Sequence, residues 1–205
     1  VRVIPYGANL DSPPPRDGVI NKSISKPLSI LFLAKEWDRK GGPVAVEALQ
    51  SLLGRGIAAE LVICGLKPPK RYRQPNVRYY EYLDKSKKKD RERLENIIRK
   101  AHLLLLPTRA DCSPTVLCEA NAYGLPVFST MVGGIPSIVE NGKNGYLLPL
   151  EATGKDFADI IAEYVQNKEH YARFNMGARN QYETTLNWDT WGHKTREAVK
   201  QVVGI

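Results

Sequence analysis

Two carboxylates flank the start of a predicted helix in the stretch RADCSPTVLCEA, residues 109–120. Asp111 precedes a Ser-Pro pair, and Glu119 lies further along the helix. Ser113 is the predicted N-cap, with Pro114 at the first helical position, and a helix start attracts anions through its free amide groups and its dipole. Glu119 falls at the flank of the predicted apolar stripe, where a carboxylate must be paired, hydrogen-bonded or open to a cleft. Ribose hydroxyls would satisfy it if the phosphates of a nucleotide sat at the helix start.

Each acid also has a structural explanation. Glu119 could form a salt bridge to a neighbouring helix, and Asp111 could be a loop or capping acid, which is the commoner use of Asp before Ser-Pro. The stretch AKEWDRKGGP, residues 34–43, offers a second anion site, since Lys35 and Lys40 precede glycines that permit close backbone approach. A charged surface turn explains this stretch equally well. Neither the Walker A nor the GxGxxG spacing, which would mark a phosphate-binding loop, occurs in the sequence.

The elements that must position these residues are short apolar runs separated by helical patterns. Runs without alternation are typical of strands buried on both faces of a parallel sheet. Such strands are predicted at 28–34, 60–65, 103–107, 125–130 and 145–149, with a more polar strand nearer an edge at 77–83. Helices are predicted over 44–56, from about 87 to the LLLL strand, over 113–124 and from about 154 to 203.

This alternation predicts an α/β fold, a Rossmann-like, doubly wound parallel sheet built from right-handed βαβ units. Ligands bind such sheets beyond the carboxyl ends of the strands, which is where Lys35, Lys40 and Asp111 fall. The diglycine at Gly133 and Gly134 also follows a predicted strand. It could bring backbone amides to a ligand or could be a plain connection. The proline-rich segment 11–27 is predicted to be a loop.

Composition favours an anionic partner without choosing it. The chain has 205 residues, a formal net charge of +8 and a pI near 9.4. Cysteines 64, 112 and 118 lack metal-ligand or disulfide spacing, which predicts no metal site and a cytoplasmic, reducing compartment. No apolar run is long enough to cross a bilayer. The lysine-rich run 85–100 has no interleaved aromatic residues, which favours a solvated face over nucleic-acid or membrane contact.

The set of motifs resembles the C-terminal, donor-binding half of a GT-B glycosyltransferase of family 4, a retaining family. VRVIPYGANLD resembles the hinge entry, ILFLAKEWDRKGG the FVGR…KG motif, and residues 109–149 the E-x7-E region with its GxPV, GG and NG-x-G-x-L-x-P elements. Each motif is loose, whereas their order along nearly the whole chain is specific. The resemblance implies a hinge segment at 1–27, a donor-binding domain at 28–185 and a terminal helix at 186–205 that returns towards a missing N-terminal domain.

The resemblance also implies roles for single residues. Lys35 and Lys40 would hold the donor diphosphate, and Glu119 would bind the ribose hydroxyls. Asp111 would lie against the donor sugar near its reacting end, as the catalytic residue. The residues predicted to bind the donor are Lys35, Lys40, Gly41, Tyr82, Leu83, Cys112, Ser113, Thr115, Val116, Glu119, Gly133 and Gly134, of which Tyr82 and Leu83 would meet the base.

Several residues depart from the family pattern. Lys35 replaces an arginine, which keeps the charge and loses bidentate phosphate binding. Asp111 is one methylene shorter than the family's glutamate, and residues 112–114 replace Gly-aromatic-Gly, so the loop is stiffer. These departures bear on which sugar is bound. No metal or other cofactor is expected, because lysines and a helix start can stabilise the diphosphate leaving group.

Two other classes of function stay open on the sequence. One is another GT-B enzyme, such as a nucleotide-sugar epimerase or a phosphorylase, although no context marks the Schiff-base lysine of a pyridoxal-phosphate phosphorylase. The other is a non-catalytic module that binds polyanions through the basic surface.

The expected partners are a nucleotide-sugar donor, the missing acceptor-binding domain and, through the basic surface, the periphery of a membrane. Nucleic acid is not an expected partner. The chain opens like the interior of a protein, so a fragment that binds donor weakly and transfers little sugar is expected.

Overall fold

Six apolar segments form one parallel sheet. The computed structural model describes residues 2–20 and 22–204, so Val1 and Asn21 of the predicted hinge segment and Ile205 of the terminal helix lie outside it. The strands are β1 (Leu28–Leu33), β2 (Ala59–Cys64), β3 (Val77–Tyr80), β4 (Leu103–Leu106), β5 (Val127–Thr130) and β6 (Gly145–Leu148). Every neighbouring pair is parallel, in the order β3-β2-β1-β4-β5-β6. The predicted fold class is confirmed.

Helices connect and cover these strands. They are α1 (Asp17–Ile20), α2 (Gly42–Gly54), α3 (Lys88–Lys100), α4 (Thr115–Ala122), α5 (Gly154–Gln166), α6 (Lys168–Thr184) and α7 (Trp188–Val203), with 3₁₀ turns at Lys70–Tyr72 and Ile135–Ser137. α2 packs with α5, and α4 packs with α6. The strands β1 and β4 are buried almost throughout, as expected for runs without alternation.

The strand order creates a crevice between β1 and β4. From β1 the chain proceeds to β2 and β3 on one side, and from β4 it proceeds to β5 and β6 on the other. The loops that leave β1 and β4 therefore run in opposite directions and open a gap between them, which is the topological switch point of such a sheet. Both predicted anion loops, 34–43 and 109–114, leave the sheet at this point.

The edge position predicted for the polar strand is confirmed, but its length was overestimated. β3 lies at the sheet edge and ends at Tyr80. Tyr82 and Leu83 consequently belong to the loop that leads to α3. This loop emerges at the carboxyl edge of the sheet, the same edge as the two anion loops.

The prediction of a plain loop over 11–27 was wrong in one place. Residues Asp17–Ile20 form the single turn α1, whose Val19 is completely buried. The Arg179 guanidinium of α6 donates a hydrogen bond of 2.8 Å to the carbonyl of Pro14, just before this turn. Contacts with α6, more than 150 residues later in the chain, therefore order this segment. The local sequence pattern contains no information about such distant contacts.

Candidate functional site

The loops that follow β1 (34–41) and β4 (107–114) are tied together by their backbones. The amide of Arg109 donates to the carbonyl of Arg39 at 2.8 Å. The Arg39 guanidinium returns across the crevice and donates to the carbonyl of Ala110, also at 2.8 Å. These two hydrogen bonds join the loops into one continuous surface, although the loops lie about 70 residues apart in the chain.

This surface brings together two of the predicted site residues. The ammonium group of Lys40 forms an ion pair with the carboxylate of Asp111, and the two side chains are only 14% and 12% exposed. Lys40 therefore holds Asp111 at the mouth of the crevice, and its own charge is partly neutralised there.

The start of α4 differs from the prediction by one residue. Pro114 is the N-cap, with an extended ψ of 101°, and the helix begins at Thr115. The prediction that Ser113 caps the helix was wrong, because Ser113 lies one position too early for its hydroxyl to reach the free amide groups of the first turn. The Ser113 hydroxyl is instead buried and has no hydrogen-bond partner in the described part of the chain.

The diglycine after β5 shapes the loop that carries Asp111. A Cβ atom on Gly133 would lie 1.8 Å from the carbonyl oxygen of Asp111, and one on Gly134 would lie 1.8 Å from that of Cys112. The Gly134 amide also donates to the Asp111 carbonyl at 3.3 Å. Backbone therefore packs directly on backbone, and larger residues would push the Asp111 loop away. Contact between these amides and a ligand stays a prediction.

Glu119 is the most deeply buried of the candidate side chains. It is 4% exposed, and its Oε1 atom accepts a hydrogen bond of 2.8 Å from the ammonium group of Lys85. Burial raises the pKa of the Glu119 carboxyl above its ordinary value of 4.5, and the charge and hydrogen bond of Lys85 oppose that rise. The salt bridge considered from the sequence thus exists, although its partner comes from the β3–α3 loop rather than from a helix.

Sequence reasoning missed Lys85, because it treated the lysine-rich run as one solvated surface. That interpretation holds for Lys87 and Lys88, which are 72% and 82% exposed. Lys85 differs because it lies in the loop between β3 and α3, beyond the carboxyl end of a strand, and that position was the signal available from the sequence.

A cavity of about 380 Å³ joins six of the twelve residues predicted from the sequence to bind the donor. Its lining includes Lys35, Tyr82, Leu83, Thr115, Val116 and Glu119. The Lys35 ammonium group lies 4.8 Å from the centre of the Tyr82 ring, a cation–π contact. Lys40 and Asp111 are outside this lining. The structure therefore divides the predicted site into a cavity with a buried carboxylate and a separate ion pair at the crevice.

Gly41 provides a test of how the two loops meet. It has a φ of 79°, and a Cβ atom there would lie 1.9 Å from the carbonyl oxygen of Pro107. We expect Gly41→Ala to lower the free energy of unfolding by at least about 2 kcal/mol, measured by urea denaturation. Gly54→Ala is the control, because Gly54 ends α2 in open space and should gain about 0.5 kcal/mol. Equal stability of the two variants would contradict the close approach of the loops.

Together, the fold and the site define the chain as a GT-B type Rossmann-like domain with a crevice at its switch point. Over residues 18–181 it matches the family model described as glycosyl transferases group 1. The chain belongs to this family of glycosyltransferases.

Proteins that are similar to this chain in sequence are also named as glycosyltransferases. The chain is 32% identical over 176 residues to WcaL of Escherichia coli, whose name places it in colanic acid biosynthesis, covering 81% of this chain and 43% of that protein. It is 30% identical over 177 residues to the amylovoran biosynthesis glycosyltransferase AmsK of Erwinia amylovora, covering 82% and 43%. The chain thus spans less than half the length of these curated relatives.

Solved structures share the fold at low sequence identity. WaaG, a glycosyltransferase involved in lipopolysaccharide biosynthesis, superposes with a TM-score of 0.72 at 18% identity, covering all of this chain and 56% of WaaG. HepE of Anabaena, solved in complex with UDP-glucose, superposes with a TM-score of 0.68 at 17% identity, covering 87% and 50%. Neither the epimerase nor the polyanion-binding alternative is favoured by these similarities.

Within residues 2–20 and 22–204, no three His, Cys, Asp or Glu side chains are grouped so that they could hold a metal ion. Of the helices described, none has the length and apolar character needed to cross a membrane.

Proposed function

We propose that this chain is the donor-binding half of a retaining glycosyltransferase that takes its sugar from a nucleoside-diphosphate sugar. The observation that carries the proposal is the cavity in which the buried carboxylate of Glu119, the start of α4 and Lys35 meet. A buried anion beside cationic groups suits a ligand with hydroxyl donors at one end and phosphates at the other.

We expect the donor to lie in this site in one direction. Its ribose would lie on Glu119, its base beside Tyr82 and Leu83, and its diphosphate across the amide groups that begin α4. Lys35 would move from the Tyr82 ring to the phosphates. Support comes from HepE, a neighbour in fold that was solved with UDP-glucose and in a separate structure with UDP.

The chemistry follows from where charge develops. Breaking the bond between sugar and phosphate leaves positive charge on the sugar and negative charge on the diphosphate. Lys40 would exchange Asp111 for the leaving diphosphate, and the released carboxylate would face the cationic sugar. The scheme uses no metal or other cofactor, and it assigns no nucleophile.

An acceptor-binding domain is the proposed partner in catalysis, with the boundaries 1–27, 28–185 and 186–205 predicted above. α7 buries none of its described side chains, and Val202 near its end is 86% exposed. The aromatic rings of Tyr6 and Trp188 lie together where the entry segment meets α7, with centroids 6.0 Å apart. This apolar surface suits a second domain, and the exposed lysines suit contact with the periphery of a membrane on the cytoplasmic side.

Calorimetry with nucleoside diphosphates tests the proposal. Of UDP, GDP and ADP, at least one is expected to bind with one-to-one stoichiometry at millimolar concentration or below. The 2′-deoxy form of that nucleotide should bind about tenfold more weakly, because Glu119 loses one hydroxyl donor. Failure of all three, together with polyanion binding that falls steeply with salt, would favour the polyanion-binding module instead.

A further inference from the structure

Lys85 forms part of the wall between two cavities. The proposed donor cavity lies on one side, and a second cavity of about 570 Å³ lies on the other. Lys85 and Glu119 line both cavities, together with Asn9 and Leu94, so their ion pair lies where the two cavities adjoin. The Lys85 ammonium group binds Oε1 of Glu119 at 2.8 Å, and no donor to Oε2 is described in residues 2–20 and 22–204. One oxygen is thus occupied and the other is open to a ligand.

The surroundings of Glu119 are otherwise poor in compensating positive charge. Titratable and charged groups around it come from every adjoining element. They are Lys35, Cys64, Asp84 and Tyr82 around the donor cavity, Asp11, Arg91, Glu92 and Glu95 around the second cavity, Cys118 on its own helix and Tyr123 at the end of that helix. The second cavity contributes more acids than bases. Within the part of the chain that the structure describes, Lys85 is the only cation within 4.0 Å of the Glu119 carboxylate.

We propose that Lys85 is a positioning residue for the donor, because it occupies one oxygen of Glu119 and leaves the other charged and oriented for the ribose hydroxyls. The inference rests on the proposed donor function and adds a residue to it. Lys85 need not contact the nucleotide itself. Its effect passes through the ionisation and the rotamer of Glu119.

Loss of Lys85 should favour the protonated form of Glu119. Burial already raises the pKa of Glu119, and removing the opposing charge and hydrogen bond of Lys85 would raise this pKa further. Below the raised pKa the carboxyl is protonated and accepts ribose hydroxyls poorly. Nucleotide affinity should therefore fall as the pH falls and recover as the pH rises.

The test compares four variants by calorimetry between pH 5.5 and 9, with the nucleoside diphosphate that the unmodified chain binds. In Lys85→Met, affinity relative to the unmodified chain should fall about tenfold per pH unit below the shifted Glu119 pKa, and return to within a few-fold at alkaline pH. Lys85→Arg keeps the charge and should restore the original profile. The control Lys87→Met removes an exposed lysine two residues away and should change nothing. In Lys85→Met combined with Glu119→Gln, the added pH dependence should vanish, since glutamine does not titrate.

The outcomes separate this inference from the proposed function. If the unmodified chain binds no nucleoside diphosphate, the donor function fails and the role of Lys85 fails with it. If it binds, but Lys85→Met follows the same pH profile as Lys87→Met, only the inference about Lys85 is wrong. Titration of the Glu119 carboxyl carbon by NMR, without nucleotide, reports directly on ionisation, and an unchanged midpoint in Lys85→Met would also overturn the inference.

Discussion

Replacing Lys40 by methionine is expected to lower the rate of sugar transfer in the complete two-domain enzyme by about 100- to 1000-fold. The reason is that the proposed leaving diphosphate gains charge as its bond to the sugar breaks, and Lys40 is a cation held at that point by its ion pair with Asp111. A charge that matters mainly in the transition state changes kcat more than nucleotide affinity. Steady-state kinetics should therefore show a large fall in kcat beside a modest change in Kd for the nucleoside diphosphate.

A matched control separates chemistry from general loss of charge. Lys143→Met removes a lysine whose ion pair with Glu140, 2.9 Å long, lies on the surface, with both side chains 59% exposed. Its kcat and stability should stay close to those of the unmodified enzyme. Because Lys40→Met leaves Asp111 unpaired, its thermal unfolding must be measured alongside. A folded Lys40→Met enzyme with unchanged kcat would remove Lys40 from the mechanism.

Glu119→Gln is expected to weaken nucleoside-diphosphate binding by about 10- to 100-fold. Glutamine keeps the size of the side chain and removes the charge, and hydrogen bonds to a charged acceptor contribute about 1.5–3 kcal/mol. The control is Glu95→Gln, which removes a carboxylate from the adjoining cavity and not from the donor cavity. Its affinity should match that of the unmodified chain.

The sharper readout combines this variant with the 2′-deoxy nucleotide. If Glu119 binds the ribose diol, the difference in affinity between the ribose and deoxyribose nucleotides should largely disappear in Glu119→Gln. A difference that persists undiminished would assign the ribose to another residue, while leaving nucleotide binding itself intact.

Much of the fold could be predicted because the relevant information is local. A run such as LLLL at 103–106 cannot be exposed, and its lack of alternation means burial on both faces, hence a parallel sheet. Strand ends then locate the crevice, since parallel strands share one carboxyl edge. Helix bounds were predicted less accurately. The sequence placed the first residue of α4 at Pro114, whereas the helix begins at Thr115. Pro114 has an extended backbone in the structure, despite the general preference of proline for the first turn of a helix.

Residue types and their order along the chain by themselves determined the α/β class, the family and the segments that carry the candidate site. Tertiary structure alone decided which charges meet. Lys40 pairs with Asp111, and Lys85 with Glu119, across separations of 71 and 34 residues. A sequence records local propensity, whereas an ion pair depends on the distance and burial of two groups after the sheet has formed. For that reason the lysine-rich run does not distinguish Lys85 from its neighbours. Only the folded structure pairs Lys85 with the buried carboxylate of Glu119.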